Sequence, residues 1–176
     1  AETAEITDFV QEHTYDVVVV GAGTTGIPAA LAAAEAGASV GILQKQATVL
    51  AQGNLAAAVD PSRSDEIGIA QYVHELHSIY DHRGNIKPHR IYAQRSPEAP
   101  DWIEEKLREV DFTNYKESDS KLHTYDDGVC FLKGRLFPGQ MIEPMTALAP
   151  HAQEMGVELF YETPAVQLIL EQGGAE

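Results

Sequence analysis

The sequence predicts an α/β fold in which a parallel sheet is flanked by helices. Three consecutive features predict it: the apolar run Val17–Val20, an alanine-rich stretch from Ile27 to Ala36, and a second apolar run over 39–43. A continuous β-branched run is typical of a parallel strand that is buried on both faces. The three features form a β-α-β unit, whose crossover is right-handed and makes the two strands parallel.

The composition is that of a soluble globular chain. The 176 residues are 44% hydrophobic and 22% charged, which suits one domain with its own core. Asp and Glu number 27 against 12 Lys and Arg, for a formal net charge of −15. This excess disfavours nucleic acid and anionic membranes as partners, because both need clustered basic residues. No apolar run reaches the ~18–20 residues of a membrane span. The compartment stays open: cytoplasmic, or exported after removal of a signal that this chain does not contain.

A glycine-rich turn joins the first strand to the first helix, with the pattern G-x-G-x-x-G. Gly21 permits the tight turn, Gly23 lets the backbone approach a pyrophosphate, and Gly26 lets the helix pack closely on the strand. The N–H groups at the start of the helix then face the phosphates, with no need for Lys or Arg. The pattern predicts a Rossmann-like dinucleotide site. The residues expected to hold the pyrophosphate are Gly21, Gly23, Thr24, Thr25 and Gly26.

The second strand ends at Gln44 and Lys45, where an acidic residue usually accepts hydrogen bonds from the adenosine ribose. Gln44 accepts through its amide oxygen, without a charge to strengthen the bond. Lys45 is able to attract a 2′-phosphate, so these residues do not exclude NADP. We expect both side chains to contact the ribose region, and the turn alone does not decide which dinucleotide binds.

The chain divides into an N-terminal extension over 1–14 and one domain portion over 15–176. Within that portion we expect a β-α-β unit over 15–45, a loop over 46–63, a helical segment over 64–112, an irregular polar segment over 113–139 with short strands near Val129–Leu132, and a helix with strands over 140–171. Helices are predicted from Asp65 to Tyr80, from the Ser96-Pro97 pair onward, and over 141–154. Strands are predicted over 157–161 and 165–171. Gln172-Gly173-Gly174 then predicts a hairpin turn.

Other candidate sites have simpler explanations. His74 and His77 lie three residues apart on a predicted helix, but the spacing is not H-E-x-x-H and no second ligand pair is evident. We interpret them as surface or partly buried histidines and predict no metal site. Cys130, the one cysteine, lies in an apolar stretch, so we expect a buried, inert thiol. No catalytic residue can be named from the sequence.

A longer pattern runs through the chain in order. It comprises Tyr15–Gly26, Ile42–Lys45, the Gly53-Asn54 pair, Ser96–Ile103 and Glu143–Ile169. These segments resemble the N-terminal part of the fumarate reductase/succinate dehydrogenase flavoprotein family, including its Gly-Gly-Asn-Ser/Thr loop and its "SPE…W-L" helix. The chain departs from that pattern where Gln44 replaces the usual Glu, Gln52 the first loop glycine and Leu55 the loop Ser or Thr.

The resemblance implies a glutathione-reductase-type FAD-binding fold. We expect this fold to be incomplete here, without the family's C-terminal part and its capping domain, which carries the substrate-binding residues. FAD is then the implied cofactor, with Gly53 and Asn54 on its flavin side and the backbone of Ala165 or Val166 at its adenine. The parent enzyme is expected to reduce an activated carbon–carbon double bond, or to catalyse the reverse, by hydride exchange with the flavin. We expect this chain alone to be inactive, with a small-molecule substrate only in the longer enzyme.

Two alternatives stay open. One is the NAD(P)-binding domain of a dehydrogenase, which Gln44 and Lys45 permit and Gly53-Asn54 disfavours. The other is a non-catalytic module that has lost its cofactor. In the family fold the first strand is central and has a C-terminal strand beside it. Without that strand Val17–Val20 keeps an open apolar edge, so self-association is expected.

Overall fold

The computed structural model describes residues 10–79 and 81–168, with the backbone alone for 119–121. Its first sheet is parallel and has the order β1-β2-β6, with β1 at Val17–Val20, β2 at Val40–Leu43 and β6 at Glu158–Phe160. Helix α1, Gly26–Glu35, connects β1 to β2. The predicted β-α-β unit and its parallel pairing are therefore confirmed.

One face of this sheet carries the larger core. Helix α1 and helix α5, Ile142–Glu154, bury it together with Val40 and Ile42, and the side chains of Val17 and Val19 pack against the same cluster. Val18 and Val20 point the other way and are 56% and 68% exposed. The prediction that β1 is buried on both faces is thus wrong for this chain. The reason is that helices cover one face of β1, and no described residue covers the other.

The second sheet is antiparallel and was not foreseen. Its order is β3-β5-β4, with β3 at Leu55–Val59, β5 at Val129–Leu136 and β4 at Lys116–Thr124. The prediction of a loop over 46–63 is therefore wrong for β3, and that of an irregular segment over 113–139 is wrong for β4. The short strand expected near Val129–Leu132 is confirmed and extends to Leu136 as β5. Strand β4 lies at the edge of the sheet, so its polar sequence, KESDSKLHT, is compatible with pairing on one side alone.

Three helices connect β3 to β4. Helix α2, Glu66–Ser78, agrees with the predicted helix at its start, where the Asp65 side chain accepts a hydrogen bond from the N–H of Gly68 at 2.7 Å. Helix α3, Lys87–Arg95, lies within the helical segment expected over 64–112, although no separate helix was predicted there. The predicted start at Ser96-Pro97 is also wrong, because Ser96–Glu98 forms a 3₁₀ turn. Helix α4 then runs over Ala99–Glu109.

The C-terminal part of the predicted pattern is confirmed only up to β6. Residues 163–168 form no strand, so the strand expected over 165–171 is absent over its first four residues. The remainder of that strand and the Gln172-Gly173-Gly174 turn lie outside the described residues. Within 10–79 and 81–168 we find no helix with the length and apolar character that crossing a bilayer requires.

Candidate functional site

The glycine-rich turn has the geometry that its sequence predicts. Gly21 has φ +98°, a left-handed conformation that favours glycine, and its N–H donates to the carbonyl of Leu43 at 2.8 Å. A Cβ on Gly26 would lie 1.8 Å from the carbonyl oxygen of Gly21, so α1 approaches the strand too closely for any side chain at that position. A Cβ on Gly23 would lie 3.0 Å from the carbonyl oxygen of Leu50.

The N-terminus of α1 keeps unsatisfied backbone donors. Thr25, the residue that precedes the helix, makes no side-chain capping hydrogen bond, and the first turn contains no acidic residue. Among the described residues no acceptor pairs with the N–H groups of Gly23, Thr24, Thr25 or Gly26. Such donors, together with the positive end of the helix dipole, favour an anion at this position.

These donors border an open recess of about 290 Å³. The residues that line it carry no formal charge and are Val20, Gly21, Ala22, Gly23, Thr24, Thr25, Gly26, Gln44, Gln46 and Leu50. An anion bound here meets backbone dipoles without a neighbouring carboxylate that would repel it. The turn is therefore open to a ligand and is not collapsed against the protein.

A second, apolar recess lies beside the first and shares Thr24 with it. Its lining comes from the start of α1, β3, α4 and the start of α5: Thr24, Pro28, Ala56, Ala57, Ala99, Pro100, Trp102, Ile103, Met141 and Met145. Sequence reasoning missed this recess, because β3 was expected to be a loop. The side-by-side arrangement suits a ligand with a charged bridge and a flat apolar group.

Gln44 and Lys45 differ sharply in their surroundings. Gln44 is 4% exposed, and its side-chain oxygen accepts a hydrogen bond from the N–H of Ala22 at 3.1 Å. Its side-chain nitrogen donates to the carbonyl of Thr48 at 2.7 Å. Lys45 is exposed at the edge of the same region. Only Gln44 of the two lines the recess.

Gly53 and Asn54 occupy an exposed loop that is hydrogen-bonded to the segment between β5 and α5. Gly53 has φ +86°. Its carbonyl accepts a hydrogen bond from the N–H of Met141, and the carbonyl of Asn54 accepts one from the N–H of Phe137, both at 2.7 Å. The loop therefore lies near Met141 of the apolar recess, although neither residue lines it.

Ala165 and Val166 lie apart from both recesses. Val166 is 79% exposed, and neither residue is part of a strand. The segment begins next to the second strand, since the N–H of Thr163 donates to the carbonyl of Gln44 at 2.9 Å. The proposed adenine contact of Ala165 or Val166 stays a prediction.

A polar cluster lies at the margin of the second, smaller core, between α2 and β4 with the turn that follows it. The carboxylate of Glu75 accepts a hydrogen bond from the hydroxyl of Tyr125 at 2.5 Å and contacts Nδ1 of His123 at 3.1 Å. Burial raises the pKa of the Tyr125 hydroxyl well above its usual range. Burial likewise raises the pKa of the Cys130 thiol, which agrees with the inert thiol expected from the sequence.

Histidines gather at the end of α2. The ring of His82 lies 5.0 Å from that of His74 and 5.1 Å from that of His77, centroid to centroid. Partial burial lowers the pKa of His77, and the neighbouring imidazoles of His82, His89 and His74 add to the effect. In the part of the chain that the structure describes, no three His, Cys, Asp or Glu side chains are arranged to hold a metal ion.

Comparison with known proteins identifies the family of the fold. The family model described as "FAD binding domain" matches residues 16–176. Vinyl phenol reductase of Lactiplantibacillus plantarum (strain ATCC BAA-793 / NCIMB 8826 / WCFS1) is 29% identical over 173 residues, which cover 94% of this chain and 33% of that protein. The chain thus spans about a third of the length of this relative.

Two solved structures are similar at low identity. An L-amino acid deaminase from Proteus vulgaris, with its specific insertion deleted, shares 20% identity at a TM-score of 0.45, and the match covers 97% of this chain and 50% of that one. Glycine oxidase from Bacillus cereus ATCC 14579 shares 15% identity at a TM-score of 0.47, with 90% and 50% covered.

Proposed function

The chain belongs to the FAD binding domain family, and from this premise we propose that it is the cofactor-binding N-terminal portion of an oxidoreductase that reduces an activated carbon–carbon double bond or catalyses the reverse. FAD is the cofactor of this family. The observation that carries the assignment of the site is the row of unpaired N–H groups from Gly23 to Gly26, at the uncapped start of α1 and beside a recess without charged residues.

The residues present fit FAD in three respects. Backbone donors of the glycine-rich turn are available to the pyrophosphate. The apolar recess that shares Thr24 with the turn suits a flat ring, and Trp102 contributes to its wall. The lining of the charged end contains no carboxylate. We propose that Gly21, Gly23, Thr24, Thr25 and Gly26 hold the pyrophosphate, with Gly53 and Asn54 on the flavin side.

The chemistry follows from the cofactor and from the relative. When bound, FAD supplies a hydride donor and acceptor at N5 of its ring. The relative is named for reduction of a vinyl phenol, whose alkene is conjugated to an aromatic ring and therefore activated. The residues of this chain bind and orient the cofactor, and we assign none of them to proton transfer. We propose that the residues that bind the substrate, and the rest of the active site, belong to a longer protein.

Titration of the purified chain with FAD tests the binding proposal. We expect saturable 1:1 binding with a change in flavin fluorescence, and no comparable binding of NADPH. Binding of NADPH without FAD would support a dehydrogenase domain instead. Binding of neither ligand by a folded chain would support the module that has lost its cofactor.

Substitution of Thr25 by Asp sharpens this test. The carboxylate would lie at the positive end of α1, so we expect unchanged or slightly higher stability without ligand. It would also repel the pyrophosphate and weaken FAD binding by about tenfold, since ~1.4 kcal/mol of repulsion corresponds to that factor. Gln153→Glu, on the exposed end of α5, is the matched control and should leave the affinity unchanged. Equal losses in both variants would count against the site.

Activity needs the longer protein. With a chemically reduced dye as the electron donor, we expect the complete protein to reduce an alkene conjugated to an aromatic ring or to a carboxylate. Loss of the alkene signal and gain of the saturated product would be followed by chromatography. A flavin-loaded protein that oxidises an amine and reduces no alkene would contradict the proposed reaction.

The open edge of β1 supports a further proposal, self-association of this chain. Among the described residues β1 pairs with β2 alone, and Val18 on its uncovered face is 56% exposed. We expect light scattering to show dimers or larger species at high concentration, and Val18→Lys to reduce them. A chain that stays monomeric at every concentration would contradict this proposal.

A further inference from the structure

Both the oxygen and the nitrogen of the Gln44 side chain are hydrogen-bonded within the protein. Its oxygen accepts from the N–H of Ala22, and its nitrogen donates to the carbonyl of Thr48. Its backbone is bonded as well, because its N–H donates to the carbonyl of Phe160 at 2.8 Å and its carbonyl accepts from the N–H of Thr163 at 2.9 Å. Gln44 thus joins four segments: the glycine-rich turn, the end of β2, the following turn and the end of β6.

We propose that Gln44 is a positioning residue of the glycine-rich turn and does not bind the adenosine ribose; this proposal rests on the FAD site proposed above. Ala22 lies between the first two glycines. With the Ala22 N–H held by Gln44, the next donors, from Gly23 to Gly26, stay unpaired among the described residues and belong to residues that line the recess. Gln44 as a whole is 4% exposed, so it offers little surface to a ribose hydroxyl.

The position requires an amide. The carboxamide of Gln44 accepts from one backbone group and donates to another, and no carboxylate is able to do both. With a glutamate here, one oxygen would accept from Ala22 while the other faced the carbonyl of Thr48, and the two acceptors would repel each other. The carbonyl of Thr48 therefore explains why this chain carries Gln where the usual residue is Glu.

Two variants separate the positioning role from a ribose contact. If Gln44 positions the turn, Gln44→Glu lowers the melting temperature of the ligand-free chain by about 4 °C or more and weakens FAD binding about tenfold. If Gln44 binds the ribose, Gln44→Glu leaves the melting temperature unchanged and tightens FAD binding, because a carboxylate is the stronger acceptor. Gln46→Glu places the same charge on an exposed residue of the recess and should leave the melting temperature unchanged.

A ribose-specific readout completes the test. The affinities of ADP and 2′-deoxy-ADP are compared in the natural chain and in Gln44→Met, which keeps the shape and removes both hydrogen bonds. We expect the same ratio in both proteins, and faster hydrogen exchange of the Ala22 amide in the variant. A ratio that falls toward one in Gln44→Met, or an Ala22 amide that stays equally protected, would overturn the proposal.

Failure of the proposed function remains distinguishable. If neither FAD nor ADP binds the natural chain, the cofactor site is refuted, while the melting temperatures and the Ala22 exchange rate still decide the role of Gln44. If Gln44→Glu does not fold while Gln46→Glu does, the structural requirement for the amide is supported, and Gln44→Met supplies the ligand measurements.

Discussion

The N-termini of α1 and α2 meet the same physical requirement in opposite ways. At α2 the carboxylate of Asp65 accepts from the N–H groups of Gly68 and Val129, and these bonds lower the pKa of Asp65. At α1 no side chain caps the helix. The cap satisfies a backbone donor at the N-terminus of α2, and the same carboxylate also accepts a hydrogen bond from β5. An uncapped terminus beside an open recess is available to an anionic ligand.

The same contrast extends to the two units around these helices. The parallel unit, formed by β1, α1, β2, α5 and β6, has an apolar core with its polar donors on the recess. The antiparallel unit, formed by α2, α3, β3, β4 and β5, has a smaller core with Glu75, Tyr125 and His123 bonded at its margin. Binding of the pyrophosphate is therefore expected to depend on the first unit, and sensitivity to pH on the second.

The largest effect is expected from Gly26→Ala in the parallel unit. A Cβ 1.8 Å from the carbonyl oxygen of Gly21 forces α1 away from the turn. We expect the free energy of unfolding to fall by about 3 kcal/mol. We also expect FAD binding to be lost, because the N–H donors of the helix move away from the recess. Chemical denaturation and flavin titration measure the two losses. Unchanged FAD affinity would remove Gly26 from the site.

Gly68→Ala is the matched change in the antiparallel unit. Its Cβ would lie 2.2 Å from the backbone of Val129, but Ala gains up to about 1 kcal/mol of helix propensity over Gly. We expect a net loss of about 2 kcal/mol in the free energy of unfolding and FAD affinity within twofold of the natural chain. If Gly68→Ala abolished FAD binding at a temperature where it is folded, the two units would not be separable.

A smaller effect is expected from Tyr125→Phe. This change removes the hydroxyl that donates to Glu75, whose side chain is 42% exposed and therefore partly solvated. We expect the free energy of unfolding to fall by about 1 kcal/mol, measured as a shift in the urea midpoint. Tyr161→Phe, which removes a hydroxyl from a residue 37% exposed, is the control. Equal shifts in both variants would show that the hydrogen bond between Tyr125 and Glu75 does not contribute to stability.

The smallest effect concerns pH. The pKa of His77 is lowered in the folded chain, so folding favours the neutral imidazole. The stability of the protein that is linked to His77 is therefore fully present above the unfolded pKa of ~6.5. That stability is lost as the pH falls below this value through the folded pKa. We expect the melting temperature to drop less between pH 7.5 and 5.5 in His77→Gln than in the natural chain. His13→Gln, outside the histidine cluster, should behave like the natural chain.

Local patterns predicted the parallel unit, because each of its signals lies within a few residues of its effect. Gly21 and Gly26 specify the turn by their own spacing, and Val17–Val20 forms a strand with its partner some twenty residues away. The strand pairing of the antiparallel sheet was not predicted, for the opposite reason. Strand β3 pairs with β5, more than seventy residues later, and the three alanines at the centre of Leu55–Val59 show no alternation of polar and apolar residues.

The sequence predicted the backbone donors of the candidate site, but not the side chains that position them or form the apolar recess. The N–H groups from Gly23 to Gly26 follow from the glycine pattern. The sequence did not indicate that Gln44 turns inward, because this depends on the position of the Thr48 carbonyl in a turn without regular structure. The apolar recess beside Trp102 requires α4, α5 and β3 together, and only the folded chain brings them into contact.

The position of Cys130 has a practical consequence for following how the two units open. It is the one thiol in the chain, and it lies fully buried in the core of the antiparallel unit. A coloured thiol reagent in excess therefore reacts once per molecule, at a rate that reports exposure of that unit. Comparing the rate of thiol labelling with the rate of flavin release would show whether the two units unfold in one step or in two.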